Sequence, residues 1–204
     1  MIKKFYAENT NQRDLDWVTD ILKKGGVIIY PTDTVYGIGC DIHNHRAVEK
    51  VASIKGVKLE KANFAIICYD FSHLADYARQ VDNSTFKLMK RLLPGPYTFI
   101  LNASSKVPHF FYNKKKTIGI RIPDNNIIRE IVHELGHPIL TTSIQLENET
   151  VEEATDPELI HEKYERIVDM VIDGGIGGTI PSTIIDCTSD EPTITRMGAG
   201  IVDF

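Results

Sequence analysis

The sequence predicts an α/β or α+β fold built on a mixed β-sheet. Short apolar runs of strand length alternate with segments of helical periodicity. Apolar residues make up 42% and charged residues 25%, as in an ordinary globular chain. No repeat of about 20–50 residues interrupts the alternation. The 204 residues are enough to bury about 70% of the unfolded surface. This composition excludes a disordered tail, a collagen-like repeat and a disulfide miniprotein.

Residues 14–24 read as the first helix, with Leu15, Val18, Ile21 and Leu22 on one stripe and Gly25-Gly26 as its stop. Residues 27–30 are a short apolar strand closed by Pro31. Residues 46–55 are helical, and 64–69 form a buried strand. Two short helices follow at 71–78 and 84–93, the second ended by Pro94-Gly95-Pro96. Strands at 97–101 and 117–122, a helix at 126–135 and a strand at 139–142 come next. A helix at 159–167 and strands at 168–172, 183–186 and 193–196 complete the series. The loop-rich zones 104–116, 145–157 and 173–181 lack linker composition, so residues 1–204 read as a single domain.

Cys40, Cys68 and Cys187 stand far apart without a C-x-x-C pair and read as reduced, buried small hydrophobes. No run approaches the roughly 18 apolar residues of a membrane span, and the first residues lack a signal-peptide core. The expectation is a soluble, cytoplasmic protein without a membrane partner.

The formal charge of −5 hides an asymmetry. Residues 83–123 contain no acid and eight bases: Lys87, Lys90, Arg91, Lys106, Lys114, Lys115, Lys116 and Arg121. Residues 147–165 reverse this, with eight acids and one lysine. Any single lysine here reads as part of a solvated face; as a group, a basic stretch in an acidic chain suits a small anionic ligand better than a long nucleic-acid groove.

Two motifs mislead. His133-Glu134-Leu135-Gly136-His137 fits H-E-x-x-H, but zinc chemistry needs both imidazoles on one helical face. Gly136 and Pro138 end the helix first, so this reads as a helix C-terminus, and no metal site is expected. The run 174–178, GGIGG, lacks the Walker lysine and the G-x-G-x-x-G spacing, and reads equally as a mobile ligand loop or a surface turn.

The stronger signal is polar residues at strand ends, where ligands of open sheets bind. They are Thr32 and Thr34 in the turn after the first apolar strand, Lys55 with Lys58 after a helix, and Thr117 and Arg121 in an apolar strand. Thr141-Thr142-Ser143, Ser182 and Arg196 complete the set. An arginine in an apolar strand is costly unless an anion pairs with it. Cations plus hydroxyls point to positioning and charge neutralisation, as in phosphoryl or nucleotidyl transfer. Mg²⁺ would then arrive on the nucleotide phosphates.

The blocks GGVIIYPTDTVYGIGCD, PGPYTFIL, KTIGIRIP, TTS and PSTIIDCT followed by Arg196 resemble the YrdC/YciO family over residues 25–200. FKLMK, PGPYTFIL and KTIGIRIP look most like the YciO branch. Enzymatic members of the family are threonylcarbamoyl-AMP synthases. The resemblance implies a twisted mixed sheet flanked by helices, with a large, positively lined concave cavity. It implies ATP with Mg²⁺, L-threonine and bicarbonate as reactants, and an adenylate product used to modify tRNA. Double-stranded RNA binding is also implied. Thr32, Arg121 and Ser182 would bind the amino acid. Lys55, Thr117, Thr141, Ser143 and Arg196 would hold the nucleotide. Lys55 and Lys58 are the candidate catalytic cations. On this assignment Arg121→Ala is expected to lose ligand affinity with little loss of fold.

The chain departs from the family pattern where the enzymes carry K-x-R and S-x-N. Here stand Lys55-Gly56-Val57 and Ser143-Ile144-Gln145, and Cys68 replaces a strand-end histidine. Lys58 restores a charge but not the planar fork of an arginine. The second reading is therefore a nucleotide- or double-stranded-RNA-binding protein of the same fold without that catalysis.

Overall fold

The computed structural model describes residues 1–111, 116–144, 150–189 and 191–203. In chain order these give β1 (Ile2–Lys4), α1 (Gln12–Lys23), β2 (Val27–Tyr30), β3 (Gly37–Asp41), α2 (His45–Ile54) and β4 (Ala65–Ile67). Then come α3 (Phe71–Tyr77), α4 (Asn83–Leu92), β5 (Tyr97–Asn102), β6 (Thr117–Arg121), α5 (Asn126–Leu135) and β7 (Ile139–Ser143). The chain continues through α6 (Val151–Thr155), α7 (Pro157–Tyr164), β8 (Met170–Asp173), β9 (Thr183–Asp186) and β10 (Thr193–Arg196). Among the described residues the strands form one 10-stranded sheet in the order β1-β8-β2-β3-β7-β4-β6-β5-β9-β10. Pairings are mixed. β2–β8, β4–β6 and β5–β9 are parallel, whereas β2–β3, β3–β7, β4–β7 and β5–β6 are antiparallel.

Every expected helix and strand occurs, with ends shifted by three residues or fewer. β1, β3 and α6 were not expected. β3 reads as a turn because Gly37 and Gly39 are poor strand formers.

Alternation along the strands divides the core between two faces. Val27 and Ile29 of β2 join one cluster, and Ile28 and Tyr30 join the other. α1 and α5 cover the second face through Val18, Leu22, Ile128, Ile131 and Val132. The first face carries α2, α3 and α4, with Val48, Val51, Leu74, Leu88 and Met89 buried there. Helix ends are fixed locally. Asn125 Oδ1 accepts from the Ile128 amide, and Gly136 closes α5 in the left-handed region at φ 82°. α5 thus ends at Leu135, and His137 lies off the helix, 3.6 Å from Asp41. Cys40 and Cys68 are fully buried free thiols, while Cys187 is partly exposed. Among the described residues no helix is long and apolar enough to cross a membrane.

Candidate functional site

The face that α1 and α5 cover continues beyond them with small and polar side chains. Ala65 pairs with both Gly119 and Thr141, and Phe99 pairs with Ile120, which places Thr98 opposite Arg121. A Cβ on Gly119 would lie 3.1 Å from Ala65 Cβ and 3.3 Å from Thr98 Cγ2, so these residues form one shallow floor. Walls rise from the turn after β2 and from the β9–β10 pair. The result is a recess of about 110 Å³ lined by Thr34, Tyr36, Thr98, Arg121, Thr141, Ser143, Ser182 and Arg196, among others.

Arg121 is the centre of the recess. It is only 7% exposed. Its Nη2 donates to Asp33 Oδ1 at 2.8 Å and to Thr34 Oγ1 at 3.1 Å, while its buried Nε has no hydrogen-bond partner. Burial pulls the guanidinium pKa below its usual value, and Asp33 acts in the opposite direction. Asp33 Oδ2 also accepts from the Asp124 amide at 3.0 Å, so one carboxylate ties β6 to the turn after β2.

Across the recess, Arg196 grips the β9 entry. Its Nη2 donates to the Ser182 carbonyl at 2.7 Å and to Ser182 Oγ at 3.2 Å. Ser182 Oγ in turn lies 2.8 Å from Thr98 Oγ1. At the rim, Lys55 Nζ donates to the Ser143 carbonyl at 2.9 Å, which holds the end of α2 against β7.

The 174–178 loop closes over the turn. Gly178 N donates to Thr34 O at 2.8 Å, and Tyr36 OH donates to Gly175 O at 2.7 Å. A Cβ on Gly177 would stand 2.6 Å from the Tyr36 ring, so the glycine permits this contact. Burial pushes the Tyr36 phenol up to about 12, and it serves as a neutral hydroxyl at neutral pH.

Of the residues selected from the sequence, Arg121, Thr141, Ser143, Ser182 and Arg196 line the recess and Lys55 borders it. Thr32 is not part of its lining. Its hydroxyl donates to Val35 O at 2.7 Å and accepts from the Thr34 amide at 3.0 Å, so it shapes the turn instead. Thr117 starts β6 opposite Asn102, four residues from Arg121, and does not reach the recess. Lys58 is exposed outside the lining. Among the described residues of the basic stretch, only Arg121 lines the recess. Lys106 pairs with Asp76 at 2.8 Å, Lys90 lies over the Phe71 and Phe86 rings, and Arg91 donates to the Asp203 carbonyl. Lys114, Lys115, Gln145, Glu147 and Glu149 lie outside the described residues.

The sequence reading missed Asp33, Asn63 and Thr98. Thr98 carried a usable signal, a hydroxyl inside the apolar strand YTFIL. Asn63 sits in a loop and carried none.

Fold and recess together define an open-sheet α/β protein with a cationic, hydroxyl-lined recess on one face of its sheet. The chain belongs to the Sua5/YciO/YrdC family, whose profile, described as "Telomere recombination", matches residues 20–198. The YciO protein of Escherichia coli (strain K12) is 41% identical over 198 residues, spanning 97% of this chain and 95% of that one. The crystal structure of E. coli YciO superposes with a TM-score of 0.91 at 40% identity, covering 98% of this chain and 97% of that one. A threonylcarbamoyl-AMP synthase of Vibrio vulnificus (strain YJ016) is 29% identical over 188 residues, 91% of this chain and 98% of its own. The P. abyssi Sua5 structure complexed with L-threonine gives a TM-score of 0.87 at 26% identity, covering 97% of this chain and 57% of that one.

Proposed function

We propose that this protein is a nucleotidyltransferase of the threonylcarbamoyl-AMP synthase type. The observation that carries the reading is Arg121, a buried guanidinium with an unpartnered Nε, set among hydroxyls with Arg196 across the recess. Burying such a group costs stability, which a chain retains when a ligand needs the charge. The recess, at about 110 Å³, is below the roughly 300–1,000 Å³ of drug-sized pockets. The reading therefore seats the amino acid inside, its carboxylate on Arg121, and runs the nucleotide along the rim by Ser143 and Lys55. The Sua5 relative complexed with L-threonine supports a small amino acid as ligand.

In the proposed reaction the amine of L-threonine takes up bicarbonate carbon with loss of water to give a carbamate. A carbamate oxygen attacks the α-phosphorus of ATP, and pyrophosphate leaves with the bridging oxygen's electron pair. Lys55 and Arg196 offset charge building on the phosphates. Among the described residues no cluster of three or more His, Cys, Asp or Glu is placed to hold a metal, so the reading has Mg²⁺ carried by the triphosphate. The adenylate would then serve tRNA modification.

Val57 favours a second reading. It is 40% exposed, where family enzymes place an arginine. Without that arginine the site would bind ATP or RNA without turnover. Incubation with ATP, Mg²⁺, bicarbonate and L-threonine, following pyrophosphate, tests both. Release above background supports the synthase. ATP binding without release across a panel of amino acids defeats it and leaves the second reading.

A further inference from the structure

A second cationic cavity lies at the other end of the β5–β6 pair. β5 runs from Thr98 at the recess to Asn102, and β6 returns from Thr117 to Arg121. At about 3.3 Å per residue, this end is roughly 13 Å from Arg121. The cavity has a volume of about 530 Å³, within the range of small-ligand pockets. It is lined by Arg79, Ala103, Ser104, Ser105, His109 and Lys116, with no acidic residue among them.

The frame that carries these side chains is tightly laced. Arg79 N donates to Asn102 O at 2.7 Å, Ala103 N to Lys116 O at 2.9 Å, and Ser104 N to Tyr77 O at 2.9 Å. Lys116, and Gln80 beside Arg79, hold left-handed backbone at φ 53° and 45°. That conformation is disfavoured for residues with a Cβ. Asp76, the neighbouring carboxylate, is taken up by Lys106 at 2.8 Å. Among the described residues neither Arg79 nor Lys116 forms an ion pair. The lining thus presents two cations without an ion pair among the described residues, with the Ser105 hydroxyl beside them, in a discrete hollow.

We propose that this cavity is a second anion site, which takes the phosphate of a small phosphorylated molecule. Arginine and lysine supply the charge, and the Ser105 hydroxyl is a donor to a remaining oxygen, the Ser104 hydroxyl being given to the Asp76 carbonyl. A half-enclosed hollow fits one phosphate group better than a running backbone, which would need a stripe of cations. The site stands independently of the synthase reading, because its residues are separate from the recess.

Amide NMR with inorganic pyrophosphate, and separately AMP, at fixed ionic strength tests this. Saturable shifts are expected at Ser104, Ser105, His109 and Lys116. Arg79→Ala should weaken them roughly tenfold, the loss of one charge-assisted contact, whereas Arg196→Ala in the recess should leave them unchanged. Lys116→Ala, at an exposed side chain, gives the same reading if Arg79→Ala misfolds. Absence of saturable shifts, or binding indifferent to both substitutions, overturns the site. So does binding of a 12-nucleotide RNA without binding of pyrophosphate or AMP.

Discussion

Tyr30 on β2 donates its phenol proton to Thr141 Oγ1 on β7 at 2.6 Å, across the whole width of β3. The ring can lie flat there only because β3 has glycines beneath it. A Cβ on Gly37 would stand 2.7 Å from Tyr30 Cε2, and one on Gly39 would stand 2.1 Å from the Leu140 carbonyl oxygen and 2.8 Å from the Tyr30 hydroxyl. Burial pushes the Tyr30 phenol above its usual range, so it stays a donor. Thr141 is a recess residue, and its orientation is therefore set from two strands away.

Tyr30→Phe should leave Thr141 Oγ1 without its donor and cost about 1–2 kcal/mol. For a chain of this length that lowers Tm by roughly 2–4 °C per kcal/mol. Gly39→Ala should cost more, about 3 kcal/mol, because the methyl meets backbone rather than a yielding side chain. Thermal melts of both variants check the order. A Gly39→Ala protein as stable as the parent would mean that β3 can shift away from β7.

Much of this architecture was legible in the sequence because periodicity reports burial. α5 was placed to the residue by its apolar stripe and the Gly136 stop, and the same stop correctly removed His137 from the helix. β3 was not legible, since its glycines answer to a ring contributed by another strand. In the site, residue type revealed Arg121, Ser182 and Arg196. Their partners could not be read. Nothing in YPTDTVYG says that Asp33 reaches β6, whereas a turn threonine read on its own as a backbone cap is what Thr32 is. Among the described residues of the basic stretch, Arg121 alone enters the recess, while Lys106, Lys90 and Arg91 go to Asp76, aromatic rings and the Asp203 carbonyl.

Arg121 has a carboxylate of its own, which changes the expected behaviour of Arg121→Ala. Both side chains are 9% exposed. Removing one charge leaves the other buried and unpaired, at a cost of roughly 3–5 kcal/mol. Arg121→Ala and Asp33→Ala should each destabilise strongly. The double variant should fall well short of their sum. A double-mutant cycle in urea measures this, and additive effects would show that the two charges are not coupled in the folded state.

His43 and His137 meet just before α2. Their rings meet edge to face at 4.7 Å, His137 Nε2 lies 3.6 Å from Asp41, and His43 Nε2 lies 3.3 Å from the Tyr77 hydroxyl. Burial, and then the neighbouring His137, hold His43 below the usual imidazole value, with Asp41 opposing. Below about pH 6.5 the unfolded chain binds this proton more readily than the folded one. The contribution to stability is therefore present above that pH and is lost as pH falls towards the lowered folded value. Tm should decline between pH 7 and 5.5, and His43→Gln should flatten the decline. An unchanged slope in His43→Gln would assign the acid sensitivity to other groups.

Val57, which the family resemblance sets against an arginine of the synthases, directly follows Gly56 at φ 66°. Val57 is 40% exposed, so an arginine can be introduced without displacing core. Lys55, two residues earlier, already reaches Ser143 at the rim. Val57→Arg should therefore leave Tm within about 1 °C, as for most exposed substitutions. If the recess supports adenylate formation, the added planar donor should raise pyrophosphate release by roughly tenfold or more. Lys55→Met should lower that release by a similar factor, with a Tm loss of only a few degrees from the missing bond to the Ser143 carbonyl. Steady-state pyrophosphate assays of the two variants beside the parent decide the matter. If neither substitution moves the rate while both proteins remain folded, the α2 terminus takes no part in the chemistry, and the site at Arg121 must act without it.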